Sequence, residues 1–362
     1  FSEFTTSKII IEELEKLGIK VQKNVAKTGV VGLIEGKYPG KTVLLRADMD
    51  ALKIQEQADV EYKSKIDGMM HACGHNDGHV AGLLGAAMIL NELKDNLHGN
   101  VKLVFQPAEE RDGGALPMIE EGVLENPKVD AAFAAHLWGY LNEGEVHLKE
   151  GPMMASPDIF NIKVIGKGGH GAVPQESIDP IVITCQIVNS LQTIVSRKIN
   201  PLDPVVITCG RIQGGDCHNV IPNEVELEGT IRTFNEETRN WVPKVMEDLI
   251  RGITTSQGAA YEFKYEPKYP ALINDKYMTS FAKESLKKVV GEENVFDLKE
   301  PNMGGEDFAY FAQKVPSAFI FVGIANNKSE PVIHHNPYFK WDSKNVGILA
   351  QSLSQIAIDY LK

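Results

Sequence analysis

No stretch of this chain approaches the roughly 20 apolar residues needed to cross a bilayer, so its hydrophobic runs are of core length. Cysteine is sparse. The four at 73, 185, 209 and 217 lack the spacing of a disulfide framework, which points to a reducing, cytoplasmic home. Basic residues are outnumbered, 37 Lys and Arg against 49 Asp and Glu, and the net charge of -12 argues against nucleic acid or an anionic membrane as partner. Low-complexity tracts and internal repeats are missing too, and the opening residues are not expected to be a signal peptide. The chain opens at Phe1 without Met and runs straight into a helical pattern over 2–17, so a preceding segment is expected to have been removed or left out. What remains is soluble globular composition, 43% hydrophobic and 24% charged. At 362 residues the default is two domains.

Against that background Met70-His71-Ala72-Cys73-Gly74-His75-Asn76-Asp77-Gly78-His79 stands out: three imidazoles, a thiol and a carboxylate in ten residues. A single Cys or His is usually a buried hydrophobe or a helix cap. Here, however, three other clusters sit in matching contexts. Gln106-Pro107-Ala108-Glu109-Glu110 puts two adjacent carboxylates after the apolar strand 101–105, where open α/β sheets place their chemistry. Another apolar run, 131–136, ends in His136, and His334-His335 lies near the C-terminus. Soft and borderline donors gathered this way predict a transition-metal centre.

The pattern along the chain is α/β with an insertion. A helix over Thr6 to Leu17, strands at 30–34 and 42–50, a helix starting near Asp77, the strand 101–105, a helix from Ala115 to Glu121 and the strand 130–136 read as a wound sheet. From about Ser156 the order becomes β-α-β-β-α-β: strands 158–165, 205–212, 224–233 and 260–266, with helices 180–197 and 236–256. That is a ferredoxin-like sandwich. The wound pattern then resumes with helices 276–290 and 307–314, the strand 318–322 and a closing helix 345–360. The expected division is a discontinuous catalytic domain, 1–155 and 268–362, interrupted by a lid or dimerisation domain at 156–267.

These residues resemble the amidohydrolase branch of the two-metal aminoacylase–carboxypeptidase family. The resemblance spans essentially the whole chain. It is carried by residues 45–52, 70–79 and 106–110, Gly166-Lys167-Gly168-Gly169-His170, Asn219-Val220-Ile221-Pro222, residues 229–233, Met303-Gly304-Gly305-Glu306-Asp307-Phe308 and His334-His335-Asn336-Pro337. It implies two divalent transition metals per subunit, zinc or manganese before cobalt or nickel. Cys73 would bridge them, His75 and His136 would complete one ligand set, and Glu110 and His335 the other. His335 is preferred to His334 because it stands two before Pro337. Glu109 would be the general base and Asp50 would orient a ligand; Asp48 and His79 would not bind. His170 would stabilise the oxyanion in a neighbouring subunit, with Asn219, Arg232 and Gly305 at the substrate.

Two departures from the family pattern are visible. Asn76 is an extra residue before Asp77-Gly78-His79, which the start of the next helix must absorb, and Asp216-Cys217-His218 replaces smaller residues before Asn219. The implied activity is hydrolysis of N-acyl-amino acids or short peptides by a homodimer assembled through the inserted domain. Two rivals stand beside it. A metal-free cysteine amidase would use Cys73 as nucleophile but leaves Glu109, Glu110 and His335 without work. A non-catalytic peptide-binding protein on the same fold has no need of five metal-binding side chains.

Overall fold

The computed structural model describes residues 1–327 and 329–362. The chain divides into two compact units: Phe1–Met153 with Ile273–Pro301 and Asp307–Lys362, and Met154–Leu272 with Asn302–Glu306.

The first unit begins with α1 (Phe4–Lys16), whose Ile10 and Leu14 are fully buried. It continues through β1 (Lys20–Val25), β2 (Gly29–Glu35), β3 (Tyr38–Asp48), α2 (Ala81–Glu92), β4 (His98–Gln106), α3 (Ala115–Glu120), β5 (Ala131–Asn142) and β6 (Val146–Leu148). One sheet runs β1-β2-β4-β3-β5, then Ser317–Ala325, β6 and Val295–Asp297. The pairings β4–β3, β3–β5 and β5 with Ser317–Ala325 are parallel. These central strands are near-continuous apolar runs because both faces are covered: Val43, Leu45, Leu103, Phe105, Phe133 and Ile320 are all fully buried. Over them α2 packs on the closing helix Asn345–Tyr360. Small residues permit that approach: a Cβ on Gly82 would stand 2.7 Å from Leu349 Cβ, and one on Gly85 2.9 Å from Ala350 Cβ.

Several strands differ from the sequence expectation, among them β1, β5 and the short β6 and Val295–Asp297. β1 was not anticipated; it is a polar edge strand without the alternation that marks a half-buried one. β5 does not end at His136 but runs to Asn142. Its pairing with β3 stops at Ala134, whereas the neighbour on its other side continues, with Phe321 opposite His136. His136 therefore lies level with Asp48, the last residue of β3, although it is still mid-strand in β5. The expected helix 307–314 is reduced to Ala309–Ala312.

The second unit has strands Ser156–Ile165, Val205–Gln213, Glu224–Thr233 and Ala260–Glu266, with helices Pro180–Arg197 and Glu236–Ser256 between the first pair and the last pair. The sheet is antiparallel throughout, in the order 205–213, 224–233, 156–165, 260–266. Alternate residues Phe160, Ile162 and Val164 meet Ile187, Leu191, Val242, Met246 and Ile250 from the helices in one core. Both helices start where the sequence says they should. The Asp179 side chain accepts from the Ile181 and Val182 amides ahead of Pro180, and Asn235 does the same for Glu237 and Thr238.

Candidate metal centre

The carboxyl ends of three adjacent strands and two loops of the first unit converge. β3 delivers Asp48 and, just beyond it, Asp50; β4 leads into Glu109 and Glu110; β5 carries His136. The loop ahead of α2 contributes Cys73 and His75, and the segment after Ser317–Ala325 contributes His334 and His335. Backbone strain marks the approach. Ala108 and His335 hold φ of 56° and 58°, a left-handed conformation that side chains other than glycine rarely adopt and that clusters at functional sites.

Asn76, read from the sequence as an extra residue, falls in a local irregularity. Residues His75–Val80 form a single π-helical turn, with the His79 amide reaching back five residues to the Gly74 carbonyl at 3.0 Å. A π turn accommodates one more residue than an α turn. The ring of His75 before it and of His79 after it both stay anchored.

Hydrogen bonds to one nitrogen of each ring fix what the other can do. His75 Nδ1 meets Asp50 Oδ1 at 3.0 Å, which leaves Nε2 buried and without a partner. His136 Nδ1 meets its neighbour's carbonyl, Leu137 O, at 2.6 Å, and its Nε2 stands 3.6 Å from Cys73 Sγ. His335 Nε2 lies 3.1 Å from Glu110 Oε1, yet not in line for a hydrogen bond, so that buried oxygen is also unsatisfied. The donor atoms of Cys73, Glu110 and His335 fall within 4.8 Å of one another, as do those of His75, Glu109 and Glu110. Asp50 braces the set: its Oδ2 accepts from the Glu110 amide at 2.9 Å while Oδ1 holds His75.

Three nearby groups are spoken for. His79 places Nδ1 on Asp48 Oδ1 at 2.5 Å and accepts the Leu137 amide on Nε2 at 2.9 Å. Asp48 is further bound by Arg46 at 2.7 Å. His334 accepts the Gly139 amide on Nε2 at 3.0 Å, so its ring proton sits on Nδ1, facing Cys73 Sγ at 3.4 Å. Asp48, His75, His79 and His136 do lie close enough together to form a second cluster. Within it His75 keeps a ring nitrogen without a hydrogen-bond partner, and His136 Nε2 meets the Cys73 thiol rather than a carboxylate or an amide.

The electrostatics suit a divalent cation. Burial pushes the Cys73 thiol up to about 12. On His75, burial works against a charge, but Asp48 and the Asp50 hydrogen bond outweigh it and raise the ring well above its usual value. His136 is held well below the usual range by burial and by His79, and burial takes His334 down to about 3. Carboxylates thus surround a pocket whose thiol and one imidazole retain protons, and such protons are displaced when a metal binds. Two orphaned buried atoms and a mixed sulfur, nitrogen and oxygen set fit divalent transition ions.

The other expected residues lie in the second unit. Gly169–His170 pairs with Val220–Ile221, and the Gly171 amide donates to the Asn219 carbonyl at 2.8 Å, which brings His170 and Asn219 together at one two-stranded ribbon. His170 is exposed and accepts the Ala172 amide on Nδ1. The unusual Cys217 uses its thiol to cap Asn219 Oδ1 at 2.9 Å. Arg232 is half-buried in its strand, and burial lowers its pKa. Gly305 has a packing reason of its own, since a Cβ there would stand 2.5 Å from Pro157 Cγ. Sequence reasoning passed over Arg46, Gln106 and Asp307, all buried beneath the site. The signal was a lone arginine inside an apolar strand.

Residues 44–357 match peptidase family M20/M25/M40. The chain belongs to this family. It is 43% identical over 363 residues to thermostable carboxypeptidase 2 of Saccharolobus solfataricus, covering 98% of this chain and 91% of that protein. It is 46% identical over 275 residues to an N-acyl-L-amino acid amidohydrolase of Geobacillus stearothermophilus, covering 76% of this chain and 74% of the relative. A solved Bacillus subtilis protein described as a dinuclear metal-binding peptidase of the M20 family superposes with a TM-score of 0.84 at 37% identity, over 100% of this chain and 93% of that one. This M20 chain is therefore a metal-dependent amide hydrolase with a mixed α/β fold.

Proposed function

We propose that this M20 hydrolase cleaves N-acyl-amino acids, or short peptides from the carboxyl end, with two divalent ions held by Cys73, His75, Glu110, His136 and His335. The observation that carries the reading is the tautomer-locked rings of His75 and His136 turned toward Cys73, with Glu110 Oε1 left unsatisfied. Cys73 would bridge. Zinc or manganese suits this donor set first, with cobalt and nickel also compatible. When bound, the ions supply Lewis acidity that polarises the amide carbonyl and makes water acidic near neutrality.

The chain supplies the rest. Glu109, buried beside Glu110, takes a proton from the attacking water on its carboxylate and delivers it to the leaving amine nitrogen. Asp50 keeps the His75 ring and the Glu110 backbone in place. Products are a carboxylic acid and an amino acid. A thiol-nucleophile mechanism is disfavoured because it leaves Glu109, Glu110 and His335 without work, while burial pushes the Cys73 thiol up to about 12.

In the same reading, 156–267 is a ferredoxin-like lid and dimerisation domain. Its β-α-β-β-α-β order and sheet order support the assignment. The protein would be a cytoplasmic homodimer. The edge strand Val205–Gln213 favours pairing: it carries one charge, Arg211, whereas the opposite edge, Ala260–Glu266, carries Glu262, Lys264 and Glu266. Natural sheets blunt edges with charge when they must not pair. Exposed Ile181 and Val182 on the helix beside that strand extend the apolar surface. His170 would donate to the oxyanion in the partner's site, Asn219 would add a polar contact, Arg232 would pair with the substrate carboxylate, and Gly305 would allow close backbone approach.

Elemental analysis combined with turnover of N-acetyl and N-benzoyl amino acids tests the whole. Bound metal with chelator-sensitive turnover is expected. Turnover that survives complete metal removal would establish the thiol enzyme, and metal without turnover a binding protein.

A further inference from the structure

A guanidinium is buried in the parallel core of the first unit. Arg46 is 2% exposed, between the buried Leu45 and Ala47 of β3. Its Nε donates to Gln106 Oε1 at 2.9 Å, Nη1 to Asp48 Oδ2 at 2.7 Å and Nη2 to Asp307 Oδ1 at 2.9 Å.

Each partner leads onward to a residue of the site. Asp48 holds His79, and His79 holds the amide of Leu137, the residue after His136. Gln106 closes β4, three residues before Glu109. Asp307 also accepts from Gln106 Nε2 at 2.7 and 2.8 Å and from the Ala115 amide at 3.0 Å, which pins both ends of the loop 107–114 that carries the two glutamates. A single guanidinium thus joins β3, β4 and, through His79, β5. Lysine has the charge but not the flat fork of divergent donors. Stability alone is a poor reason for such a group, since buried ion networks often do no better than apolar replacements.

We propose that Arg46 is a positioning residue for amide hydrolysis, setting through Asp48, Gln106 and Asp307 where His136, Glu109 and Glu110 stand. This rests on the amidohydrolase reading above.

Arg46→Lys keeps the charge and removes the fork. The metal-loaded variant is compared with the parent for kcat, KM and thermal midpoint. Absorption of the cobalt(II)-substituted protein is the fourth readout, because its bands report coordination geometry without reference to turnover. The expected result is a kcat lower by about 10- to 100-fold, the usual cost of losing a group behind a metal site, with KM little changed and the cobalt bands shifted. A folded Arg46→Lys protein with the parent's kcat and cobalt spectrum overturns the proposal, whatever its thermal midpoint. Should that variant not fold, Asp307→Asn preserves volume and removes one charged partner, and is judged by the same two readouts. If the parent itself hydrolyses no N-acyl-amino acid, the amidohydrolase reading fails, while the cobalt spectra still decide on Arg46.

Discussion

Glu109 and Glu110 are neighbours in sequence with different surroundings. The Glu110 amide is tied to Asp50, and its Oε1 faces His75 Nε2 at 3.8 Å and His335 Nε2 at 3.1 Å. Glu110→Gln should therefore lose metal. Glu109→Gln should keep it and lose about 10²-fold or more in kcat; metal analysis beside steady-state kinetics separates them, and the reverse pattern would exchange the roles. Lys102 offers a test away from the site. Its ammonium donates to the carbonyls of Val123, Glu125 and Pro127 at 2.7 to 2.9 Å, and burial lowers it from 10.5 to about 8. Between those values the unfolded chain keeps a proton that the folded chain has lost. This group therefore makes its smallest contribution to stability below about pH 8, and that contribution grows as pH rises through the window. Lys102→Met should cost about 2 kcal/mol at pH 7 by stranding the carbonyls, and its unfolding free energy should rise less than the parent's between pH 8 and 10. The side chains that converge at the cluster were legible in sequence as candidates, because thiol, imidazole and carboxylate at strand ends have few competing uses. The choice between His334 and His335 needed the family pattern, since which ring turns toward Glu110 depends on a backbone angle of 58° that composition does not encode. Arg46 was missed because two of its partners, Gln106 and Asp307, lie 60 and 261 residues away.

Helices with a capping side chain at the start and steady periodicity were readable to the residue, as Pro180–Arg197 and Glu236–Ser256 show. β1 was not readable, because five of its six residues face solvent at least in part. The π turn at His75–Val80 lies between these cases. The surplus residue was visible; the form of its accommodation was not, because a loop extension would fit the sequence equally. Since His75 is fastened to Asp50 and His79 to Asp48, the extra residue can be removed only by letting the turn tighten to an α turn. Deletion of Asn76 should accordingly yield a folded protein with its full metal complement and a thermal midpoint no lower than the parent's. Loss of one metal equivalent on deletion would show that the wider turn is needed to aim His75.

For the whole molecule, assembly is the sharpest question. If the proposed dimer forms through the edge strand, charging the apolar surface beside it with Val182→Glu and Ile212→Glu together should give a monomer by light scattering; both side chains are 53% exposed, so the fold should tolerate the change. Mixing His170→Ala with Glu109→Gln under subunit exchange should restore activity, because one site in each heterodimer regains both groups. If exchange is confirmed and activity stays absent, His170 does not serve a partner. The locked imidazoles have one more consequence. Because Asp50 and the Leu137 carbonyl have oriented two rings before any ion arrives, capture demands little rearrangement. Preparation of that kind raises affinity for every ion of suitable size, and the divalent series ranks them by their own chemistry. Which element occupies the site is then decided by the cell's supply: protein produced in media enriched in zinc, manganese or cobalt should carry the supplied element at an unchanged ratio of two per chain.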